Sequence, residues 1–456
     1  MNQEITGAPT EIKTIYSGPR GAAVKLLNRI ERTDSYLDKL LDAELKSKDI
    51  PDIDKSLFAE IVHGVLRWQG RLDWILNGFT HGNFLKSEVN IRNALRVALY
   101  QIMFLTQVPQ YAAVNEAVEF VKKIRGEKFA GFVNAVLRNI IRTLDAIHYP
   151  DPEEDLVQYL AVYYSHPTWM VKRWLDRFGR QETEKFLSVN NEIPDLTLRI
   201  NKLKITPSDF LALLEKNNIN FQGSSYIDYF IRVKSLSGIS QLNIFQSGFF
   251  TVQDESAAFP VLLLDPKSGE RIIDMCAAPG GKTTFIAELM KNEGTVVAID
   301  KYESKLNLIK ASCQRLGITN VETLAADSSE LTIEPADRIL VDAPCSGLGA
   351  LRKKPDIKWK REPEDIQKLT IRQLSLLENA SRLLKQGGIL VYSTCTTERE
   401  ENNEVVEKFL QKHPEFVVEN ATYYVNKSVV TSDGFVETYP HHHHLDGSFA
   451  VRLVKK

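Results

Sequence analysis

Two cysteines stand directly behind apolar, β-branched runs. Cys345 lies in Asp342-Ala343-Pro344-Cys345-Ser346-Gly347 after Ile339-Leu340-Val341, and Cys395 in Tyr392-Ser393-Thr394-Cys395-Thr396 after Ile389-Leu390-Val391. Such runs read as buried strands, and ligands of open α/β sheets bind beyond the carboxyl ends of the strands. Two thiols in that place, with the carboxylate of Asp342 three residues before one of them, suit covalent chemistry on an electrophilic ring. Either cysteine alone would read as a small buried hydrophobe. A nucleotide-type loop upstream on the same predicted sheet shifts the balance toward chemistry.

In that loop Arg271–Met275 reads as a strand, Cys276-Ala277-Ala278-Pro279-Gly280-Gly281 as a tight turn and Lys282-Thr283-Thr284 as the start of a helix. Glycines let the backbone approach a ligand, and a helix N-terminus offers free N–H donors. The Gly281-Lys282-Thr283 ending resembles a Walker A loop, but that motif needs glycine where Cys276 stands, and Pro279 removes one N–H. Phosphate cradling is therefore disfavoured. The next predicted strand ends at Asp300, 20 residues after Gly280, where an acid commonly holds ribose hydroxyls. NAD and S-adenosylmethionine (SAM) share that ribose, so the spacing does not separate them. Asp327 follows a predicted strand at 321–325 and is placed either to reach an adenine amino group or to cap Ser328-Ser329.

The elements that must position these residues alternate from about residue 248 onward. Strands are predicted at 271–275, 295–299, 321–325, 338–342 and 388–393, and helices at 282–291, 302–316, 366–384 and 398–412, which implies a mainly parallel, doubly wound sheet. Residues 1–18 are polar and expected to be frayed. Residues 19–145 are helical throughout, with apolar faces such as Ala22/Leu26/Leu27/Ile30 and Phe58/Ile61/Val62/Val65/Leu66 at spacings of three and four. Residues 146–164 read as a linker. Residues 165–245 read as a small α+β module, with a strand at Leu196–Ile200 and a helix opened by Thr206 as N-cap and Pro207 at N1. The catalytic domain is expected at 246–456.

At 456 residues the chain is long enough for several cores. No apolar run approaches a membrane span. The opening Met1-Asn2-Gln3-Glu4 has neither a basic nor an apolar leader region, and the four cysteines form no CxxC pair, so a reducing cytoplasm and no structural zinc are expected. The net charge is −2, yet residues 20–142 carry 19 Lys+Arg against 14 Asp+Glu. A basic helical module on an acidic body hints at a polyanionic partner. His441–His444 read as a polar loop and not a metal site, since four adjacent residues cannot all face one ion.

The run at 274–283, with Asp342–Gly347 and Ser393-Thr394-Cys395, closely resembles the SAM-dependent RNA cytosine-5 methyltransferases of the Nol/Nop/Sun group. Gln253-Asp254-Glu255-Ser256-Ala257 matches the motif that begins their catalytic domain, and 114–118 and 132–138 resemble NusB-type RNA-binding bundles. That domain order is similar to the 16S rRNA cytosine-5 methyltransferases of the RsmB (Fmu/Sun) type. The resemblance implies a NusB-like bundle, a small α+β module and a Rossmann-like methyltransferase domain. It implies a SAM site at Cys276, Ala277, Ala278, Pro279, Gly280, Gly281 and Lys282 with Asp300, Asp327 and Asp342. It implies Cys395 as nucleophile and Cys345 as the release residue, with no metal, small-subunit rRNA as partner and a monomer. Asp342 is expected to contact N3 and the exocyclic amine of the base, and Lys282 to orient either the base or a backbone carbonyl. One departure is Asp446-Gly447-Ser448-Phe449, where the group usually has Phe at the third position; it touches local packing only. Arg352–Lys360 offers charges for phosphate, with Trp359 either stacking on a base or anchoring the loop. A non-catalytic assembly factor, a nucleotide hydrolase, a base-N methyltransferase and a DNA cytosine-5 enzyme are the rival readings. The first would not need both cysteines and all three acids, the second lacks a Walker A, the third lacks its Pro-Pro-aromatic signature, and the fourth would use a Pro-Cys nucleophile with no need of the Thr-Cys partner.

Overall fold

The computed structural model describes residues 15–33, 35–47, 49–234 and 242–456. Residues 1–14, most of the segment expected to be frayed, lie outside that range, and a helix already begins at Gly18. Backbone contacts divide the chain into two units. One holds residues 1–192 with Leu351–Lys360, and the other Ile193–Ala350 with Arg361–Lys456.

The first unit is helical, as the periodicity predicts. Helices Gly18–Arg32, Leu37–Lys46, Asp52–Phe79, Val89–Phe104, Gln110–Arg125 and Glu127–Arg142 turn their apolar stripes onto one core. Gly64 permits the closest approach in it: a Cβ there would fall 1.9 Å from the Tyr100 ring. The stretch 146–164 is not a bare linker. It holds the helix Leu156–Tyr163, capped by Asp155 accepting from the Gln158 N–H at 2.9 Å, with Leu160, Ala161 and Val162 buried. Eight residues are too few for a 3.6-residue pattern to stand out beside the Asp-Pro-Glu-Glu-Asp turn signal. Helix Thr168–Val189 follows within the same unit.

Leu351–Lys360 is built into this helical unit. Lys358 is fully buried and donates to Asn191 Oδ1 (2.7 Å), Ser165 O (3.2 Å) and Arg67 O (3.3 Å). Trp359 Nε1 donates to Leu66 O at 2.6 Å, and Asp356 accepts from the Leu37 N–H at 2.9 Å. The expectation of phosphate contact is corrected at Lys358, whose ammonium is enclosed, and Trp359 anchors its segment. Burial pushes the Lys358 ammonium well below its ordinary pKa, with Arg67 adding to the effect.

The second unit carries two sheets. Strands β1 (Leu196–Ile200), β2 (Gln222–Gly223), β3 (Phe230–Val233) and β4 (Phe250–Val252) form an antiparallel sheet in the order β2-β3-β1-β4. The helix Pro207–Lys216 that accompanies it is capped by Thr206, with Pro207 in its first turn. The larger sheet holds β5 (Arg271–Asp274), β6 (Thr295–Asp300), β7 (Val321–Ala325), β8 (Ala336–Asp342), β9 (Leu384–Thr394), β10 (Phe416–Glu419), β11 (Val436–Thr438) and β12 (Ser448–Lys455). Its order is β10-β12-β9-β8-β5-β6-β7, with β11 on β12. Strands β9, β8, β5, β6 and β7 run parallel, and β12 closes one side antiparallel to β9. The chain winds outward from β5 through β6 and β7, then returns to β8 and β9 on the other side. The switch point, where such sheets bind ligands, is therefore the carboxyl end of β5. Each face has its own core, because neighbours such as Ile272 and Ile273 point opposite ways. The helix predicted at 398–412 is two pieces, a 3₁₀ turn at Arg399–Glu401 and a helix at Asn403–Lys412. The predicted loop at His441–His444 is mostly a single helical turn, Pro440–His443.

Replacing Trp359 by alanine removes both its bond to Leu66 and its packing on Gly70, so we expect a loss of about 2 kcal/mol in denaturant unfolding. An unchanged midpoint would show that the segment is not anchored.

Candidate active site

The turn after β5 is shaped by Gly280, whose φ of +106° is open to glycine, and a Cβ there would press on Ile309 at 3.1 Å. Ala277 N–H donates to Ile299 O at 2.9 Å, tying the turn to β6. Helix Gly281–Leu289 then starts with its first N–H groups unused by the helix. Its opening is held by Arg199 of β1, a fully buried cation. Arg199 donates to Gly281 O (2.8 Å), Thr284 Oγ1 (3.1 Å) and Glu288 (2.7 Å), and also to Gln253. The small sheet thus braces the loop it lies beside. Sequence gave no hint of this, since an arginine in a strand reads as an outward-facing charge.

Beyond the turn lies a cavity of about 470 Å³ lined by, among others, Met275, Cys276, Asp300, Tyr302, Ala326 and Pro344. Asp300 is buried and accepts from the Tyr302 N–H at 3.0 Å. Burial pushes the Cys276 thiol far up, so it is neutral. Ala277 is buried, while Pro279 is exposed. Asp327 Oδ1 accepts from Ser329 N (3.1 Å), Ser329 Oγ (2.7 Å) and Arg372 (2.5 Å), with Lys301 3.4 Å from Oδ2. The Arg372 hydrogen bond leads in holding this carboxyl well below the usual range. Asp327 therefore caps Ser329, and its neighbours Ala326 and Ser328 line the cavity.

Strands β8 and β9 are adjacent and in register, Asp342 opposite Ser393, which brings the two cysteine loops side by side. Cys345 Sγ lies 3.1 Å from Cys395 Sγ and accepts from the Cys395 N–H at 3.3 Å. Cys395 is exposed and Cys345 half-buried. The hydrogen bond with Cys395 and then burial push the Cys345 thiol well up. Behind the thiols, Ser346 and Thr396 share a hydroxyl bond of 2.8 Å. Glu401, fully buried, accepts from Ser346 N (2.8 Å), Ser346 Oγ (2.5 Å) and Gln373 Nε2 (3.0 Å). Arg361 Nε donates to Ser346 O at 3.0 Å. Gly349 N–H donates to Cys395 O (3.1 Å) and Gly447 N–H to Gly349 O (2.8 Å). A Cβ on Gly349 would meet Gly447 O at 1.9 Å, so only glycine at 349 lets the two backbones approach this closely. Ser448, the departure noted above, only bonds Thr438 at 2.8 Å.

Asp342 is engaged on both oxygens, by Lys282 Nζ at 2.6 Å and Ser393 Oγ at 2.9 Å. Burial works against the Lys282 charge, but Asp342 outweighs it and the ammonium sits above its ordinary pKa. The arrangement offers an exposed sulfur, a second thiol in contact with it, a fixed ion pair and a ligand-sized cavity at one end of one sheet. Glu401, Gln373, Arg361 and Arg199 are absent from the sequence reading. Glu401 closes the charged run Glu398-Arg399-Glu400-Glu401, which looks like a solvated helix face.

A family model described as "16S rRNA methyltransferase RsmB/F" matches residues 261–454. The "Probable ribosomal RNA small subunit methyltransferase B" of Bacillus subtilis (strain 168) is 40% identical over 446 residues, 96% of this chain and 98% of that one. The chain belongs to the RsmB/F family of 16S rRNA methyltransferases. A NusB family model matches residues 17–142, and a ferredoxin-like domain of RsmF/B-like methyltransferases matches 166–239. The three-part architecture read from the sequence is thereby borne out. The similarly named protein of Synechocystis sp. is 35% identical over 443 residues, covering 96% of this chain and 99% of its own. Among solved structures, PH0851 superposes with a TM-score of 0.80 at 28% identity, covering 99% of this chain and 100% of its own. Among the described residues no helix is long and apolar enough to cross a membrane.

Asp274, at the end of β5, is fully buried and accepts from Thr283 Oγ1 at 2.8 Å. Burial pushes its carboxyl up to about 7. Its unfolded value is near ~3.9, so the folded protein holds the proton more tightly. The associated stability is fully present below about pH 4 and is lost as pH rises through about 7, an effect of up to roughly 4 kcal/mol. Asp274→Asn should flatten the fall in stability between about pH 4 and about pH 7; an unaltered pH profile would show that Asp274 ionises freely.

Proposed function

We propose that this chain transfers a methyl group from SAM to C5 of a cytosine in small-subunit rRNA through a transient bond between Cys395 Sγ and C6 of the base. The observation that carries this reading is the 3.1 Å pairing of an exposed and a half-buried thiol beside the Lys282–Asp342 ion pair. The cavity fits SAM by its donor set. Asp300 stands at the end of β6 for the ribose hydroxyls, and the turn Cys276–Gly281 brings backbone close. Asp327, with Lys301 3.4 Å from its Oδ2, follows the cavity-lining Ala326 and would be the acid on the side of the adenine amino group. When bound, SAM supplies an electrophilic methyl group on a sulfonium.

The residues of this chain do the remaining work. A base flipped out of its stack reaches Cys395, which is exposed at the strand end. Cys345 keeps its proton and donates toward Cys395, favouring the thiolate there. Sulfur adds at C6, and the electron pair of the C5–C6 double bond moves into the ring. Asp342 accepts from the exocyclic amine, while Lys282 offsets the negative charge that develops. C5, now electron-rich, takes the methyl group. Cys395 is by then an uncharged thioether and no longer holds the proton on Cys345. Cys345 ionises more easily at this stage, directly or through a water, and removes the C5 proton. The C6–S bond breaks, the aromatic ring is restored and Cys395 leaves as thiolate.

Cys395→Ala should lower methyl transfer to rRNA by more than ~1000-fold, with no protein–RNA adduct on a denaturing gel. Cys345→Ala should form the adduct and release it slowly, so that a SAM- and RNA-dependent band accumulates. Wild-type turnover from Cys395→Ala would overturn the proposal.

A further inference from the structure

The helical unit carries a surface groove of about 870 Å³ that the chemistry above does not use. It runs between the end of Gly18–Arg32, the start of Val89–Phe104 and the start of Glu127–Arg142. Phe129 and Phe132 line it, three residues apart on one helix and hence on one face, and they remain 43% and 39% exposed. Five cations line it against two carboxylates. Arg92 pairs with Glu31, and Arg125 with Glu88 at 2.6 Å. Arg32, Lys86 and Lys128 are exposed, and among the described residues none of the three makes an ion pair.

We infer that this groove grips a single-stranded stretch of the rRNA substrate, with bases stacked on Phe129 and Phe132 and phosphates held by Arg32, Lys86 and Lys128. This deepens the proposed function and rests on its RNA substrate. Flat aromatic faces accept any base, and unpaired cations track a backbone; together they are what single strands require. A protein partner could also seat on aromatic rings, but five cations against two carboxylates around Phe129 and Phe132 match the evenly spaced negative charge of a nucleic-acid backbone. Full burial of the two rings would favour packing over stacking, but both are open to solvent. The groove gives the excess of Lys and Arg in residues 20–142 a local purpose.

The test uses the full chain, a labelled unstructured oligoribonucleotide for binding and transcribed small-subunit rRNA for turnover. The double variant Phe129→Ala/Phe132→Ala should bind the oligonucleotide about 10- to 100-fold more weakly. It should raise KM for the transcript and leave kcat, SAM affinity and melting temperature unchanged. Lys86→Glu should weaken binding less and reduce the salt slope by about one charge. Tyr111→Ala, which removes a 77% exposed ring outside this groove, is the control and should change nothing. Binding by the double variant as tight as that of the control overturns the inference, as does a loss confined to capture of a ribosomal protein with RNA affinity intact. Binding needs no methyl transfer. A wild-type protein that fails to methylate while the double variant loses RNA affinity would sink the reaction and keep the groove.

Discussion

A buried carboxylate sets the geometry on which the rest depends. Glu401 takes three hydrogen bonds, two from Ser346 and one from Gln373, and Ser346 passes the connection on to Thr396. Ser346 and Thr396 each follow one of the two cysteines, so one interior anchor fixes both loops. Burying a charge is costly unless its oxygens are satisfied, and here donors are supplied at both oxygens. The expense is tolerable because the alternative, two loops moving independently, would separate the thiols. Parallel pairing of β8 and β9 gives the coarse alignment, and the Glu401 cluster fixes the last ångströms.

Around this anchor the electrostatics divide tasks between chemically identical groups. Two thiols in contact cannot both ionise easily, and the thiol of Cys345 is pushed well up by its hydrogen bond with Cys395 and by burial. Two of the nearby carboxyls also sit in different surroundings. Asp342 has a cation and a hydroxyl as partners, whereas Asp274 has a hydroxyl and a dry environment that lifts it to about 7. Environment, not residue type, assigns the roles. The Arg199 brace extends the same logic to the cavity, since it holds the first turn of the helix whose N–H groups border the bend at Gly280.

The parts legible in sequence were those where local pattern and chemistry coincide. β-branched runs followed by Asp300, Cys345 or Cys395 announce a strand and its working end at once, and the helical bundle is written in spacings of three and four. The parts that were not legible are charged residues turned inward by distant partners. Lys358 is satisfied by Arg67, Ser165 and Asn191, which no local window connects to it. Glu401 and Arg199 fail for the same reason. β10 and β11, at four and three residues, are too short for alternation to stand out beside the parallel strands.

The bond between Cys395 and the pyrimidine can be captured with small-subunit rRNA transcribed with 5-fluorocytidine, whose C5 has no proton to lose after methyl transfer. Incubation with the full chain and SAM, followed by trypsin and mass spectrometry, should give a nucleotide-linked peptide spanning residues 386–399 with the modification on Cys395. Linkage to the 339–352 peptide through Cys345, or methylation of the ordinary transcript with no adduct on the fluorinated one, would contradict it.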